Sequence, residues 1–188
     1  MIILASNSPR RRQIMAEWGY DFKVVTSDID ETLSESLTAE ETVKILSQKK
    51  AQSVFDTVKD SNAIVIGADT VVAFNGKILG KPANKIDAEK MLTELSGKEH
   101  FVYTGFTVIS KDKVVTESVK SVVKFNNLTK DFIQKYIATG SPLDKAGAYG
   151  IQDDGVVENY QGSYFNIVGL PIERLAQILA TFGVTGKK

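Results

Sequence analysis

Apolar positions along the chain fall into short runs and helical stripes, and the two alternate. The first run, "IILA" at residues 2–5, predicts a buried strand. Ser8 offers an N-cap and Pro9 a first helical position. A stripe of Ile14, Met15 and Trp18 follows, and Gly19 stops it. "FKVVTSDIDETL" predicts a strand running into an acidic loop. Thr38-Ala39-Glu40-Glu41 reads as a capping box, and Val43, Leu46, Val54 and Val58 share one row of the helix behind it. "AIVIGADTVVAFNGKILGKP" predicts a buried strand, an interruption at its first glycine, a second strand, a hairpin turn at Asn75-Gly76 and a loop. Ala88, Met91, Leu92 and Leu95 mark another helix, closed by Gly97. "HFVYTGFTVIS" and "VVTESVKSVVKF" flank Lys111-Asp112-Lys113 as a long hairpin. Thr129 opens a helix with Phe132, Ile133, Tyr136 and Ile137 inward, and Gly140 ends it. "SPLDKAGAYGIQDDG" reads as a Gly-rich loop and "YFNIVGL" as a strand. Pro171 starts a last helix with Leu175, Ile178, Leu179 and Phe182 on one face. Hairpins mixed with crossovers predict an α/β fold with a mixed twisted sheet flanked by helices. There is no repeat, linker or low-complexity tract, so residues 1–188 read as one domain.

Composition narrows the function. Lys plus Arg and Asp plus Glu each number 23, so no global field favours nucleic acid or an anionic membrane. The aromatic residues fall mostly on core stripes, which argues further against nucleic acid. Any anion site must be built locally. The chain has no cysteine, which excludes disulfides, thiolate zinc sites and a cysteine nucleophile, and fits a reducing cytoplasm. The apolar run in "MIILASNSPRRR" is too short for a signal peptide, and no stretch reaches membrane-spanning length. The single histidine, His100, reads as structural.

Several residues invite a chemical reading. Arg10, Arg11 and Arg12 stand in the first turn of a helix, where the dipole disfavours cations. Either an anion sits at that N-terminus with Ser6 and Ser8 as further donors, or the turn is solvated and basic. Arg12 reads as plain surface. Lys50 falls on the row of Val43, Leu46 and Val54. It either snorkels to the edge or aims at an internal anion. Asp69 and Thr70 in "IGADTVV" are placed by this pattern at the end of a buried strand, a position suited to metal binding or proton transfer, or to a capped turn. "SDIDE" supplies Glu31 in a second acidic group, which either is solvated or joins Asp69 on Mg²⁺ with phosphate oxygens. Lys81 sits in the Gly/Pro frame of "GKP". "DKAGAYGIQ" adds Lys145, a ring at Tyr149 and an amide at Gln152 in a segment small enough for close backbone approach. Together these suit a polyphosphate with a divalent cation and an organic head group.

"LASNSPRR", "GADTVV", "LGKP", "DKAGAYGIQ" and "GSYFNIVGLP" resemble the Maf family of nucleoside triphosphate pyrophosphatases, also named for inhibition of septum formation. The resemblance spans residues 3–171 in the family's order. It implies the ITPase-like α/β fold, with two lobes around a cleft, a cytoplasmic homodimer, and a divalent cofactor, Mg²⁺ or Mn²⁺. The "AYGIQ" pattern with Gln152 resembles the branch acting on dTTP and UTP. Carried onto this chain, Asp69 matches the catalytic acid/base, with Glu31 as a second metal ligand. Arg10, Thr70 and Gln152 match positions linked to base selectivity. Ser8, Arg11, Lys50, Lys81 and Lys145 match the phosphate pocket. "DDGVVENYQ" lies where the family varies and receives no role. The implied reaction is attack of water on the α-phosphorus, giving a monophosphate and pyrophosphate, so that modified or surplus nucleotides are removed. Arg11→Ala is expected to weaken turnover without unfolding the protein. The rivals are a purine-directed enzyme on the same fold, and a regulator that binds nucleotide without turnover.

Overall fold

The computed structural model describes residues 1–33 and 36–187. Strand β1 (Ile2–Ala5) leads into helix α1 (Pro9–Glu17), then β2 (Phe22–Val24) and α2 (Ala39–Phe55). Next come β3 (Ile64–Phe74), β4 (Lys77–Leu79), α3 (Lys85–Leu95) and the long hairpin of β5 (Glu99–Ile109) and β6 (Val114–Phe125). Helix α4 (Lys130–Ala138), two 3-10 turns (Ser141–Asp144 and Ala146–Ala148), β7 (Val157–Gln161), α5 (Tyr164–Val168) and α6 (Ile172–Ala180) complete the chain. The local signals act as expected at most boundaries. Ser8 accepts from Arg11 N at the start of α1, and Thr38 and Glu41 cap each other at α2. Asn75 and Gly76 both take positive φ, 48° and 75°, as the tight β3–β4 hairpin turn requires.

The sheet has seven strands in the order β2-β1-β3-β5-β6-β7, with β4 also paired to β3. β1 runs parallel to β2 and β3, and the other pairings are antiparallel. Three expectations are corrected. β3 runs unbroken through Gly67. The glycine is there because a Cβ would stand 2.4 Å from Ser47 O of α2, so its role is helix approach and not interruption. Asp69 therefore lies inside the strand and not at its end. "YFNIVGL" is not a strand: Ser163 caps Asn166 N, and residues 164–168 form α5. The strand of this region is β7, whose exposed residues give no apolar signal.

Register explains where a cleft opens. β5 pairs with β3 from Val65 to Ala73 along one edge. On the other edge β1 pairs only as far as Gly67, and β4 begins only at Val72. Residues 68–71 of β3 therefore face a gap in the sheet. The core divides at the same level. On one sheet face Ile66, Ala68 and Phe106 pack with α1 and α6, whereas Val72, Phe74 and Val102 pack with α3 and α4. Between these two lobes the inward residues are Thr70 and Thr104, paired in register. The opposite face packs Val65 and Ile109 against Ala51 and Val54 of α2. Each fully buried aliphatic side chain in these clusters contributes about 1.5–3 kcal/mol relative to exposure.

Candidate active site

The gap in the sheet opens into a cleft of about 410 Å³. Ser8, Arg10 and Arg11 reach it from the start of α1, Glu31 from the acidic loop, and Lys50 from α2. Asp69 and Thr70 form its floor on β3, and Lys81 lies on the loop after β4. Lys145 and Gln152 come from the Gly-rich segment. Every one of these residues thus lines one cleft, although the segments lie far apart in the chain; Ser6 lies behind them and accepts from Arg11. The structure adds Asp144 and Gly169 to its lining.

Asp69 is 7% exposed and is held by Lys50, whose Nζ donates to Oδ1 at 2.6 Å. The same ammonium pairs with Glu31 Oε1 at 2.9 Å. The inward position of Lys50 on its helix row thus reflects an internal anion, and that anion is the protein's own carboxylate pair. One strand residue further on, Thr70 points to the other sheet face. Its hydroxyl accepts from Arg11 at 3.0 Å and lies 2.9 Å from Thr104 Oγ1.

Arg11 reaches four acceptors. Nε donates to Gly169 O at 2.7 Å, and one terminal nitrogen donates to Ala68 O at 2.8 Å and Ser6 Oγ at 3.2 Å. The Thr70 bond is the fourth. Ala68 O is a carbonyl next to Asp69, in the part of β3 that β1 leaves unpaired. Burial pulls the Arg11 guanidinium below its ordinary pKa, the Arg10 charge adds to this, and Asp69 and Glu31 oppose it. Arginine stays protonated regardless. The sequence expectation for Arg11→Ala changes accordingly: truncation would remove the side-chain donor from the buried Ala68 O and leave Gly169 O only a long bond from Thr70, so the variant is expected to lose stability as well as function.

Arg10 turns outward across the cleft mouth to Asp144 Oδ2 at 2.8 Å. Lys145 Nζ meets the other oxygen of the same carboxylate at 2.9 Å. Partial burial opposes ionisation of Asp144, but hydrogen bonds from Lys145 and Arg10 outweigh it and hold its carboxyl below the usual range. Sequence reasoning passes over Asp144 because nothing local points to Arg10, 134 residues away. Lys81 and Gln152 are exposed and have no hydrogen-bond or ion-pair partner among the described residues. Tyr149 contributes only a ring edge. Its hydroxyl is turned into the core, 2.8 Å from His100 Nε2. Arg12 is exposed.

Among the described residues no group of three acidic, histidine or cysteine side chains is placed to hold a metal ion. Glu31 and Asp69 are a pair of hard oxygen donors, drawn together by one ammonium. Such a pair fits a divalent ion that brings phosphate oxygens and water as its remaining ligands, and not a prebuilt cage.

The family model described as Maf-like protein matches residues 1–182. The chain belongs to the Maf family. Among its relatives in this family, a dTTP/UTP pyrophosphatase of Bacillus anthracis is 45% identical over 185 residues, covering 97% of this chain and 96% of that protein. A dTTP/UTP pyrophosphatase of Dictyoglomus thermophilum is 47% identical over 187 residues, covering 97% of this chain and 96% of that protein. The Staphylococcus aureus Ham1 protein superposes with a TM-score of 0.53 at 18% identity, over 96% of this chain and 98% of that one. That likeness concerns the fold, which is the ITPase-like α/β fold expected for the Maf family.

Proposed function

We propose that this protein hydrolyses dTTP and UTP, and modified pyrimidine triphosphates, to the monophosphate and pyrophosphate. The observation that carries this reading is the convergence of Ser8, Arg10, Arg11, Glu31, Lys50, Asp69, Thr70, Lys81, Lys145 and Gln152 on one cleft, in a chain whose relatives are dTTP/UTP pyrophosphatases. Arg10, Lys81 and Lys145 offer charge to the phosphates. Gln152 offers an unused amide, donor and acceptor together, to the edge of thymine or uracil. Lys50 takes one oxygen of Asp69. The other oxygen is the acceptor for the proton of the attacking water. Glu31 and Asp69 would hold Mg²⁺ or Mn²⁺, which would neutralise charge on the leaving pyrophosphate. Lys50 stays between the two carboxylates and fixes the geometry from which the proton is taken.

Family membership supports a homodimer, a cytoplasmic site of action and an influence on septum formation. No helix among the described residues is long and apolar enough to cross a membrane.

The test is pyrophosphate release with Mg²⁺ from dTTP, UTP, CTP, ATP, GTP, ITP and 7-methyl-GTP, run beside Asp69→Asn. The expected result is turnover of dTTP and UTP that falls about 10²–10⁴-fold in the variant. Turnover of purines alone would overturn the role of Gln152. No turnover of any nucleotide would replace the enzyme with a nucleotide-binding regulator.

A further inference from the structure

The cleft's Gly-rich wall is held by a hydrogen-bond network outside the cleft. It centres on Asp153, in a stretch to which the sequence assigns no role. Two hydroxyls donate to the same carboxylate oxygen, Asp153 Oδ2. One is the phenol of Tyr136 on α4, and the other is Ser141 Oγ at 2.9 Å. Each hydroxyl in turn accepts from the Gly-rich segment. Gly150 N donates to Tyr136 Oη at 3.1 Å, and Lys145 Nζ donates to Ser141 Oγ at 3.0 Å. Two relays therefore start at different points of the segment and end on one oxygen. Burial, reinforced by the neighbouring carboxylate, pushes the Tyr136 phenol above its ordinary pKa, so it keeps the proton it donates.

Gly150 stands where these groups meet. A Cβ there would lie 2.9 Å from Asp153 Oδ2, 3.0 Å from Lys145 Cε and 3.2 Å from Gln152 Oε1. The turn that displays Gln152 is closed by Asp153 N donating to Gly150 O at 3.1 Å. Gln152 has no hydrogen-bond partner of its own among the described residues, so the backbone on either side of it sets its position. That backbone is tied down directly at Gly150 N by Tyr136, and through the Asp153 side chain by both hydroxyls. Tyr136 is 8% exposed, and its ring packs in the α3–α4 core, so the anchor is rigid. Hydrogen bonds in series that end on a charge reinforce one another.

The geometry points to Tyr136, Ser141 and Asp153 as positioning residues that set substrate affinity at the two ends of this wall: the Tyr136 branch fixes the base end at Gln152, and the Ser141 branch fixes the phosphate end at Lys145. None of the three lines the cleft, and none reaches Asp69. The assignment of the two ends rests on the proposed reading of Gln152 and Lys145.

The experiment compares Tyr136→Phe, Ser141→Ala and Asp153→Asn with wild type in two independent readouts. The first is amide hydrogen exchange of residues 145–153 in the free protein, which needs no substrate. Faster exchange is expected in all three variants, with Gly150 most affected in Tyr136→Phe. Unchanged exchange in Tyr136→Phe overturns the network whatever the enzyme does. The second is kinetics with dTTP, with inhibition by dTMP and by inorganic tripolyphosphate. Tyr136→Phe should raise KM for dTTP and Ki for dTMP by up to about tenfold, the worth of one hydrogen bond, and leave Ki for tripolyphosphate and kcat within about twofold. Ser141→Ala should raise Ki for tripolyphosphate by less than about threefold, because Lys145 keeps its bonds to Ser141 O and Asp144, and leave that for dTMP unchanged. Asp153→Asn should raise both. A fall in kcat at constant KM, or the same inhibitor profile in all three variants, overturns the division into two branches. A wild type that turns over no nucleotide defeats the proposed function instead, and the exchange result then decides the network alone.

Discussion

Asp69 and Thr70 are neighbours on β3, yet the strand sends them to opposite sheet faces, and each meets a largely buried cation. Lys50 lies against Asp69, and Arg11 against Thr70. In sequence both cations stand out as basic residues that sit badly on their helices, Arg11 in a first turn and Lys50 on an apolar row. In structure they differ in what they touch. The partners of Lys50 are two carboxylates, and one of them, Glu31, has a side chain 57% exposed in the cleft. The partners of Arg11 are two carbonyls and two hydroxyls that belong to the frame of the molecule. A cation held between two carboxylates at the cleft fixes the geometry of the groups that do the chemistry. One forked among fixed neutral acceptors holds elements together. Arg11 joins the loop residue Ser6 after β1, strand β3 and the turn after α5 across the gap where the sheet lacks an edge.

The largest effect should appear when this comparison is broken directly. Arg11→Ala removes the Arg11 donor from the buried Ala68 O and leaves Gly169 O only the 3.4 Å bond from Thr70, at about 1–3 kcal/mol each, and should lower stability by at least about 2 kcal/mol in urea unfolding. Arg11→Lys should recover little, because an ammonium cannot fork across acceptors on three elements. Lys50→Met should cost stability less, about 1–2 kcal/mol, because Glu31 regains water and Asp69 faces the cleft. It should instead lower kcat/KM for dTTP about tenfold or more. If Lys50→Met were the less stable of the two and Arg11→Ala the less active, the division of labour would be reversed.

A third buried polar group tests the same distinction with protons. His100 lies on the same sheet face as Thr104, its ring packed edge-on against Phe125 and Tyr149, at 1% exposure. Nε2 meets Tyr149 Oη, and Nδ1 has no hydrogen-bond partner among the described residues. Burial pushes its pKa from 6.5 down to about 4. Below pH about 6.5 the unfolded chain takes up a proton that the folded one refuses until pH about 4. The contribution of neutral His100 is complete above the unfolded value and is lost as pH falls through this window, by about 3 kcal/mol in all. Unfolding in urea across pH 7.5 to 4 measures the slope. His100→Gln, which keeps an amide near Tyr149, should flatten it. An unchanged slope in His100→Gln would assign the acid sensitivity to the carboxylates instead.

Much of this was legible in the chain, and the limits have physical causes. The caps of α1 and α2, the Asn75-Gly76 turn and the β5–β6 hairpin depend on residues within a few positions of one another, and all appear where local signals put them. Five residues of α5 are too few to show a helical period, and Tyr164, Phe165, Ile167 and Val168 suit a strand equally until Ser163 is seen to cap. β7 is an edge strand with residues 158–161 exposed, so alternation had nothing to mark. Gly67 reads as a break because its true reason, the backbone of α2, is remote in sequence. The site shows the same limit. Residue types announced their chemistry, and the cleft gathers them. Their partners did not announce themselves: Ala68 O and Gly169 O for Arg11, and Asp144 for Arg10, are matters of tertiary geometry.

The smallest expected effect concerns two arginines adjacent in sequence. Arg10 differs from Arg11 by one position on α1, which turns its side chain from the frame to the cleft mouth. There it meets Asp144, whose side chain is 58% exposed. An exposed pair of this kind is worth about 0–1 kcal/mol and is screened by salt. Asp144→Asn should therefore change stability by less than about 1 kcal/mol, and the difference should vanish at about 0.5 M salt. It should also release Arg10 and Lys145 from a competing carboxylate, so KM for dTTP should fall, by less than about threefold. A loss of stability comparable with that of Arg11→Ala would mean that the Arg10–Asp144 bridge ties the two lobes together. The distinction between frame and cleft would then fail at the position where the two arginines are closest.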